Sequence, residues 1–220
     1  MIKILAFILF MPSLSWAGAI YPEFNEKTGK FVDYAKDKVK PFLGVNFGRY
    51  NASHEANSAF MGGVEAGFEF QPAAVYLSWH HIQSKTNDDI APVGTFTLTP
   101  LMVNMDGIAR FKAVSVRFGL GVGALLTDFE LDKLGKWKNE VSFEKTQVSV
   151  DNEICWKLGG GLEWPLNSHI SVGVTVSMFF AEPWIETTRT NSTILYNNKF
   201  VSRTQTDFNS VLGMVTFRFR

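Results

Sequence analysis

The sequence predicts an all-β protein, an eight-stranded antiparallel up-and-down transmembrane β-barrel. Three observations carry that prediction. Apolar residues recur at every second position along most of the chain, the period of a strand with two unlike faces. The stretches that show this pattern are eight, and most exceed the roughly 5 or 6 residues usual in soluble sheets and reach the roughly 9 to 11 that cross a bilayer at a tilt. The connections between them alternate long and short, as in barrels with short turns on one side of a membrane and long loops on the other.

Composition agrees with one such domain. The chain has 220 residues, 46% hydrophobic and 14% aromatic, with 21 basic and 21 acidic residues. This is not the composition of a disordered chain, and no basic excess is present to hold a nucleic-acid backbone. No nucleic-acid partner is therefore expected. A lone Cys155 can make neither an internal disulfide nor a cysteine zinc site, and no metal or cofactor is expected.

Residues 1–17 read as a secretory signal peptide. Lys3 is the short positive region, an apolar run follows, and Ser15-Trp16-Ala17 ends in a small residue suited to cleavage before Gly18. Pro12 and Ser13 stop the run short of the roughly 18 apolar residues of an anchoring helix. Residues 18–40 read as a periplasmic N-terminal leader, in which FVDYAKDKVK makes either a short amphipathic helix or a flexible segment. The barrel is assigned to residues 41–220.

The first stretch, 41–50, is PFLGVNFGRY, with Asn46 inward. The second, 58–71, sets Phe60, Gly62, Val64, Ala66, Phe68 and Phe70 on one face against Met61, Gly63, Glu65, Gly67 and Glu69 on the other. The third, 73–84, turns Tyr76, Ser78 and His80 inward and Trp79 and His81 outward. The fourth, 95–111, turns Asn104, Asp106 and Arg110 inward, and its Pro100 is expected to mark a bulge or the entry into the membrane, because a central strand cannot easily spare a donor. The fifth, 113–126, alternates Val114 to Leu126 outward with Arg117 and three glycines inward. The sixth, 153–164, places Cys155, Lys157 and Glu163 inward; the seventh is 168–181, with His169 inward, and the eighth is 208–220, with Arg218 inward. Outward aromatics fall at two levels, Phe60, Trp79, Trp156 and Phe180 toward the loops and Phe70, Phe111, Trp164, Phe217 and Phe219 toward the turns, as in interfacial girdles. A soluble lipocalin-like barrel would reverse this polarity, with apolar groups inside.

PFLGVNFGRY, LTPLMVNMDGIARF leading into RFGLGVGA, and WKLGGGLEWPLNSHISVGV together resemble the small outer-membrane β-barrel family that includes the OmpA barrel domain, OmpX and the opacity proteins. The resemblance covers most of the chain after residue 17. It implies residence in the bacterial outer membrane, with contacts to outer-membrane lipids, lipopolysaccharide and the barrel-insertion machinery, and a role in envelope structure or adhesion. The family ends on an aromatic residue, whereas this chain ends VTFRFR, so Phe219 carries that signal with Arg220 trailing it.

Eight strands enclose an interior just wide enough for side chains to fill it. Glu65, Glu69, Asp106, Arg110, Arg117, Lys157 and Glu163 are expected to form an internal polar network, since buried charges persist when paired, with Glu65 or Glu69 meeting Arg110 or Arg117. Inward glycines leave room for these long side chains. An interior this polar does not suit an acyl-chain cavity.

The function expected is therefore non-enzymatic: a filled barrel whose long loops, 127–152 and 182–207, meet host or envelope surface ligands. The second loop is rich in Thr and Asn and suited to extending its flanking strands. Two alternatives stand beside it. One is a lipid A-modifying acyl hydrolase or transferase using His80 and Ser84 with Asp128 as the acidic partner. The other is a narrow pore for ions or small apolar solutes. His80 and His81 face opposite sides of a strand and cannot converge on one metal ion.

Overall fold

A computed structural model describes residues 24–25, 30–31, 39–52, 57–70, 72–86, 94–111, 113–133, 136, 144–193, 196–205 and 208–220. The signal peptide expected at 1–17 and most of the 18–40 leader lie outside these residues; of the segment 31–40 considered for a helix, Phe31 and Lys40 belong to strands and residues 32–38 lie outside the described residues. In the leader, β1 (Phe24–Asn25) pairs with β2 (Lys30–Phe31).

The alternating stretches become strands because a period-two pattern gives each one an apolar face and a face that can meet a closed interior. They are β3 (Lys40–Ala52), β4 (Ala59–Phe70), β5 (Ala73–Lys85), β6 (Gly94–Arg110), β7 (Ser115–Leu131), β9 (Glu153–Pro165), β10 (Ile170–Phe180) and β13 (Ser210–Phe219). These strands close into a barrel in which each pairs antiparallel with its predecessor and successor, and β13 returns to β3 with Phe219 opposite Leu43 and Ser210 opposite Ala52. Closure leaves no free sheet edge in the wall.

Short connections at one end, around Pro72, between Phe111 and Val114, and across 166–169, define the turn end. There Phe111 N–H donates to Val114 and Leu166 N–H to Ile170. At the opposite, loop end the long connections do not simply lengthen their flanking strands. β7 runs on to Leu131, and beyond it β8 (Glu144–Val150), β11 (Trp184–Thr193) and β12 (Tyr196–Gln205) form a separate three-stranded sheet in the order β12, β11, β8. β10 stops at Phe180 and β11 starts afresh at Trp184, so the 182–207 segment builds its own hairpin rather than extending β10 and β13. The hairpin finds its third partner in β8, from the other long connection.

Pro100 does not make a bulge. β6 pairs with β7 without a break through Pro100, which stands opposite Leu125, and its pairing with β5 has the same register above and below the proline. The ladder to β5 is interrupted only between the Trp79–Leu101 and Ile82–Leu98 pairs, where a missing N–H faces His80. Neighbouring pairs on both sides hold the strand straight across that gap.

Outside, the wall is apolar. Leu43, Phe47, Val64, Phe68, Leu77, Leu101, Val103, Phe118, Leu158, Leu162, Val174, Val176 and Val215 are all exposed, a band that a soluble protein would bury.

Candidate functional site

The interior divides into two halves of opposite chemistry. At the turn end a network of charges crosses the lumen. Glu69 accepts from Arg117 at 2.6 Å and from Arg220 at 2.9 Å, and also pairs with Arg110 at the rim. Glu163 takes Arg218 at 2.6 Å together with Arg117 Nε and Arg220, and accepts the Ser171 hydroxyl at 2.6 Å. Glu65 pairs with Arg218 Nε, and Asp106 lies 3.6 Å from Arg117 and accepts the Tyr76 hydroxyl at 3.2 Å. Tyr76 also underlies two cations, Lys157 at 5.7 Å and Arg218 at 6.0 Å from its ring centre.

Each member reaches the network through strand parity. Glu65 and Glu69 on β4, Asp106 on β6, Arg117 on β7, Glu163 on β9 and Arg218 on β13 are all buried, while their sequence neighbours point to the outer face. Glycines on adjacent strands make the space. A Cβ at Gly44 would meet the Glu65 side chain at 2.5 Å, and one at Gly67 would meet the Tyr76 Cα at 2.5 Å. Desolvation of these charges is offset because nearly every carboxylate oxygen and guanidinium edge finds an opposite partner.

The structure brings Glu69 to Arg110 and Arg117 but gives Glu65 to Arg218 instead, because Arg218 crosses from β13 on the near side of the lumen. Lys157 is buried and meets Tyr76 rather than a carboxylate within bonding distance. Arg220, expected to trail Phe219 at the end of the eighth stretch, folds inward: residues 218 and 220 share parity, and Arg220 bridges Glu69 and Glu163. His169 is exposed in the turn before β10 rather than inward.

The loop-end half corrects the expectation of a largely polar interior. Tyr50, Met61, Ile82, Phe96, Leu98, Met102, Leu125, Cys155, Phe179, Phe208, Leu212 and Met214 form one buried apolar cluster, with Phe129, Val150 and Ile185 packed against it. Val150 and Ile185 belong to the outer sheet, so one core runs from the barrel lumen into that sheet. Between the halves, Asn46, His80, Asn104 and Ser78 form a polar layer: Asn104 donates to Ser78 at 2.9 Å, and Asn46 Nδ2 sits 3.4 Å from His80 Nε2. A cavity of about 20 Å3 lies in this layer and the charged half below it, room for about one water molecule.

The catalytic alternative does not assemble. His80 is buried in the polar layer. Ser84 is roughly 13 Å farther along the same strand, and its hydroxyl donates to the Asn57 and Lys85 carbonyls. Asp128 stands exposed on β7, opposite Thr97, and accepts the Phe129 N–H at 2.9 Å. His80 and Asp128 thus lie on opposite faces of the wall. Among the described residues no group of His, Cys, Asp and Glu side chains could hold a metal ion.

The girdle residues fall on the outer face. Phe60, Trp79, Phe180, Phe111, Trp164, Phe217 and Phe219 are exposed, and Phe70 and Trp156 partly so. Trp79 and His81 stack with ring centres 6.3 Å apart.

No family model and no curated protein matches the sequence. Solved structures do resemble the fold. The outer membrane protein OprG of Pseudomonas aeruginosa superposes with a TM-score of 0.62 at 13% identity, over 83% of this chain and 96% of that one. Neisserial surface protein A gives a TM-score of 0.53 at 10% identity over 82% and 96% of the two chains, and the E. coli outer membrane protein W 0.50 at 11% over 84% and 98%. The chain has the fold of the small eight-stranded outer-membrane β-barrels.

Proposed function

We propose that the protein resides in the bacterial outer membrane as a sealed barrel and acts through the sheet it carries at the loop end, by binding a protein ligand at the cell surface. The observation that supports this reading most directly is the contrast between the two ends. The lumen is filled by ion pairs in one half and apolar side chains in the other, whereas among the described residues β12 pairs only with β11 and exposes Phe200 (65%) and Val201 (52%). An exposed strand edge with apolar side chains is a template for a strand of another protein. Lys199 and Arg203 on the same strand discourage indiscriminate pairing, and Arg203 is held by Asp151 at 2.7 Å over the Trp184 ring. The apolar column shared by the lumen and the sheet fixes the sheet to the barrel.

The test replaces residues 185–204 with a short turn. Cells displaying this variant should keep a folded barrel, seen as heat-modifiable gel migration, and lose adhesion to host-cell monolayers. Unchanged adhesion, or steady single-channel conductance by the intact protein in a planar bilayer, would overturn the reading.

A second reading is favoured by the loop-end half itself. Met61, Met102 and Met214 are adaptable side chains in an apolar lumen, which suits transient entry of a small apolar solute. Faster uptake of an apolar fluorophore into vesicles carrying the protein would support it.

A further inference from the structure

The outer wall carries a group of basic and polar residues at the loop end of β3 and β5. Among the described residues, the outward positions of β9, β10, β13, β3 and β4 are apolar or glycine except Arg49 and Asn51, both toward the loop end of β3. β5 adds His81, Gln83 and Lys85 at the same end. At the rim of a lipid-facing wall the cost of an outward charge falls away and anionic headgroups are within reach of basic side chains. Among the described residues, Arg49 has no carboxylate partner, and the outward faces of these strands and of β5 hold no acid.

Arg49 and His81 flank a gap. Gly62 stands on the strand between them, opposite His81, and Gly213 stands opposite Arg49 on its other side. A Cβ at either glycine would meet nothing within 4 Å, so both leave open space at the wall. The result is an open, mainly apolar groove of about 880 Å3 with Arg49, His81 and Gln83 in its lining and Phe60 beside them. His81 is steadied by its stack on Trp79, at 19° between ring planes.

We propose that this groove binds the phosphorylated glycolipid of the outer leaflet, with a phosphate between Arg49 and His81 and an acyl chain along the glycine floor. The inference rests on the outer-membrane reading above, which puts the loop end at the outer leaflet. Charge selects the occupant: two side chains able to donate to an anion stand on either side of β4 at the headgroup level, and the groove beneath them is lined by Phe47, Val174 and Val215. Lys85, two positions beyond Gln83 on the same face, extends the basic strip toward water.

The experiment is native mass spectrometry of the detergent-solubilised protein titrated with bis-phosphorylated lipid A, dephosphorylated lipid A or phosphatidylglycerol. Bis-phosphorylated lipid A should give the dominant adduct, and the Arg49→Gln, His81→Gln double variant should bind it about tenfold more weakly. Gly62→Leu should weaken it with the charges intact, because the side chain enters empty space. All variants should keep heat-modifiable migration. Equal binding of all three lipids, or binding unchanged in the double variant, would overturn the inference. Membrane fractionation separates the two readings: a protein found in the outer membrane without lipid A preference defeats only this inference, whereas one absent from that fraction defeats the location.

Discussion

Arg117 and Glu69 meet at 2.6 Å inside the barrel although 48 residues separate them in sequence, and neither touches water to any extent. Both are multiply engaged: Arg117 also reaches Glu163 and Asp106, and Glu69 also takes Arg110 and Arg220. The pair is the centre of a closed electrostatic floor that ties β4, β6, β7, β9 and β13 together.

Arg117→Met should therefore be among the most damaging single changes in the lumen. It leaves Glu69, Glu163 and Asp106 short of positive charge in a buried setting, a cost of about 3–5 kcal/mol. Urea unfolding in lipid vesicles, followed by tryptophan emission, measures it, and an unshifted midpoint would refute the role given to the floor.

Removal of Arg220 should also destabilise, but less. Its side chain is 14% exposed and stands at the turn-end rim, so water can solvate Glu69 and Glu163 once it is gone. A loss equal to or larger than that of Arg117→Met in the same unfolding assay would contradict this ranking.

Gly44→Ala and Gly62→Ala form a matched pair. The first drives a methyl into the Glu65 side chain and should cost about 1–3 kcal/mol by overpacking; the second adds a methyl to open space on the outer wall and should stay within about 0.5 kcal/mol of the parent. Similar unfolding midpoints for the two would show that the interior is looser than the contacts imply.

His80→Ala should leave the acyl composition of lipid A in the host membrane unchanged, because His80 and Ser84 stand well apart along the inner face of β5 while Asp128 is on the outer face of β7. Mass spectrometry of lipid A from cells with the parent protein, with the variant and with neither is the check. An acyl-mass change that appears with the parent and vanishes with the variant would restore the enzymatic alternative.

Strand number, order and facing were legible because a closed antiparallel barrel obeys local rules. Period-two alternation decides which of Phe68 and Glu69 meets lipid and which meets the lumen, and chain order alone decides which strands pair. Even the glycines opposite Glu65 and Tyr76 follow once parity is known. The same parity placed Met61, Leu125 and Leu212 inside, and it could have revealed the apolar half of the lumen and the inward turn of Arg220.

What local rules do not reach was decided in three dimensions. Which arginine answers Glu65 depends on how far the strands shear around the barrel, a sum over every register that no single stretch encodes. The hairpin of residues 184–205 found its third strand in β8 because two long connections emerge beside each other at one rim. The basic strip of Arg49 and His81 acquired a groove only because Gly62 and Gly213 arrived between and beside them from other strands. Sequence by itself determined the barrel, because alternation and chain order are local; the ion-pair partners, the outer sheet and the groove belong to the tertiary structure, because each is made by residues that meet only when the barrel closes.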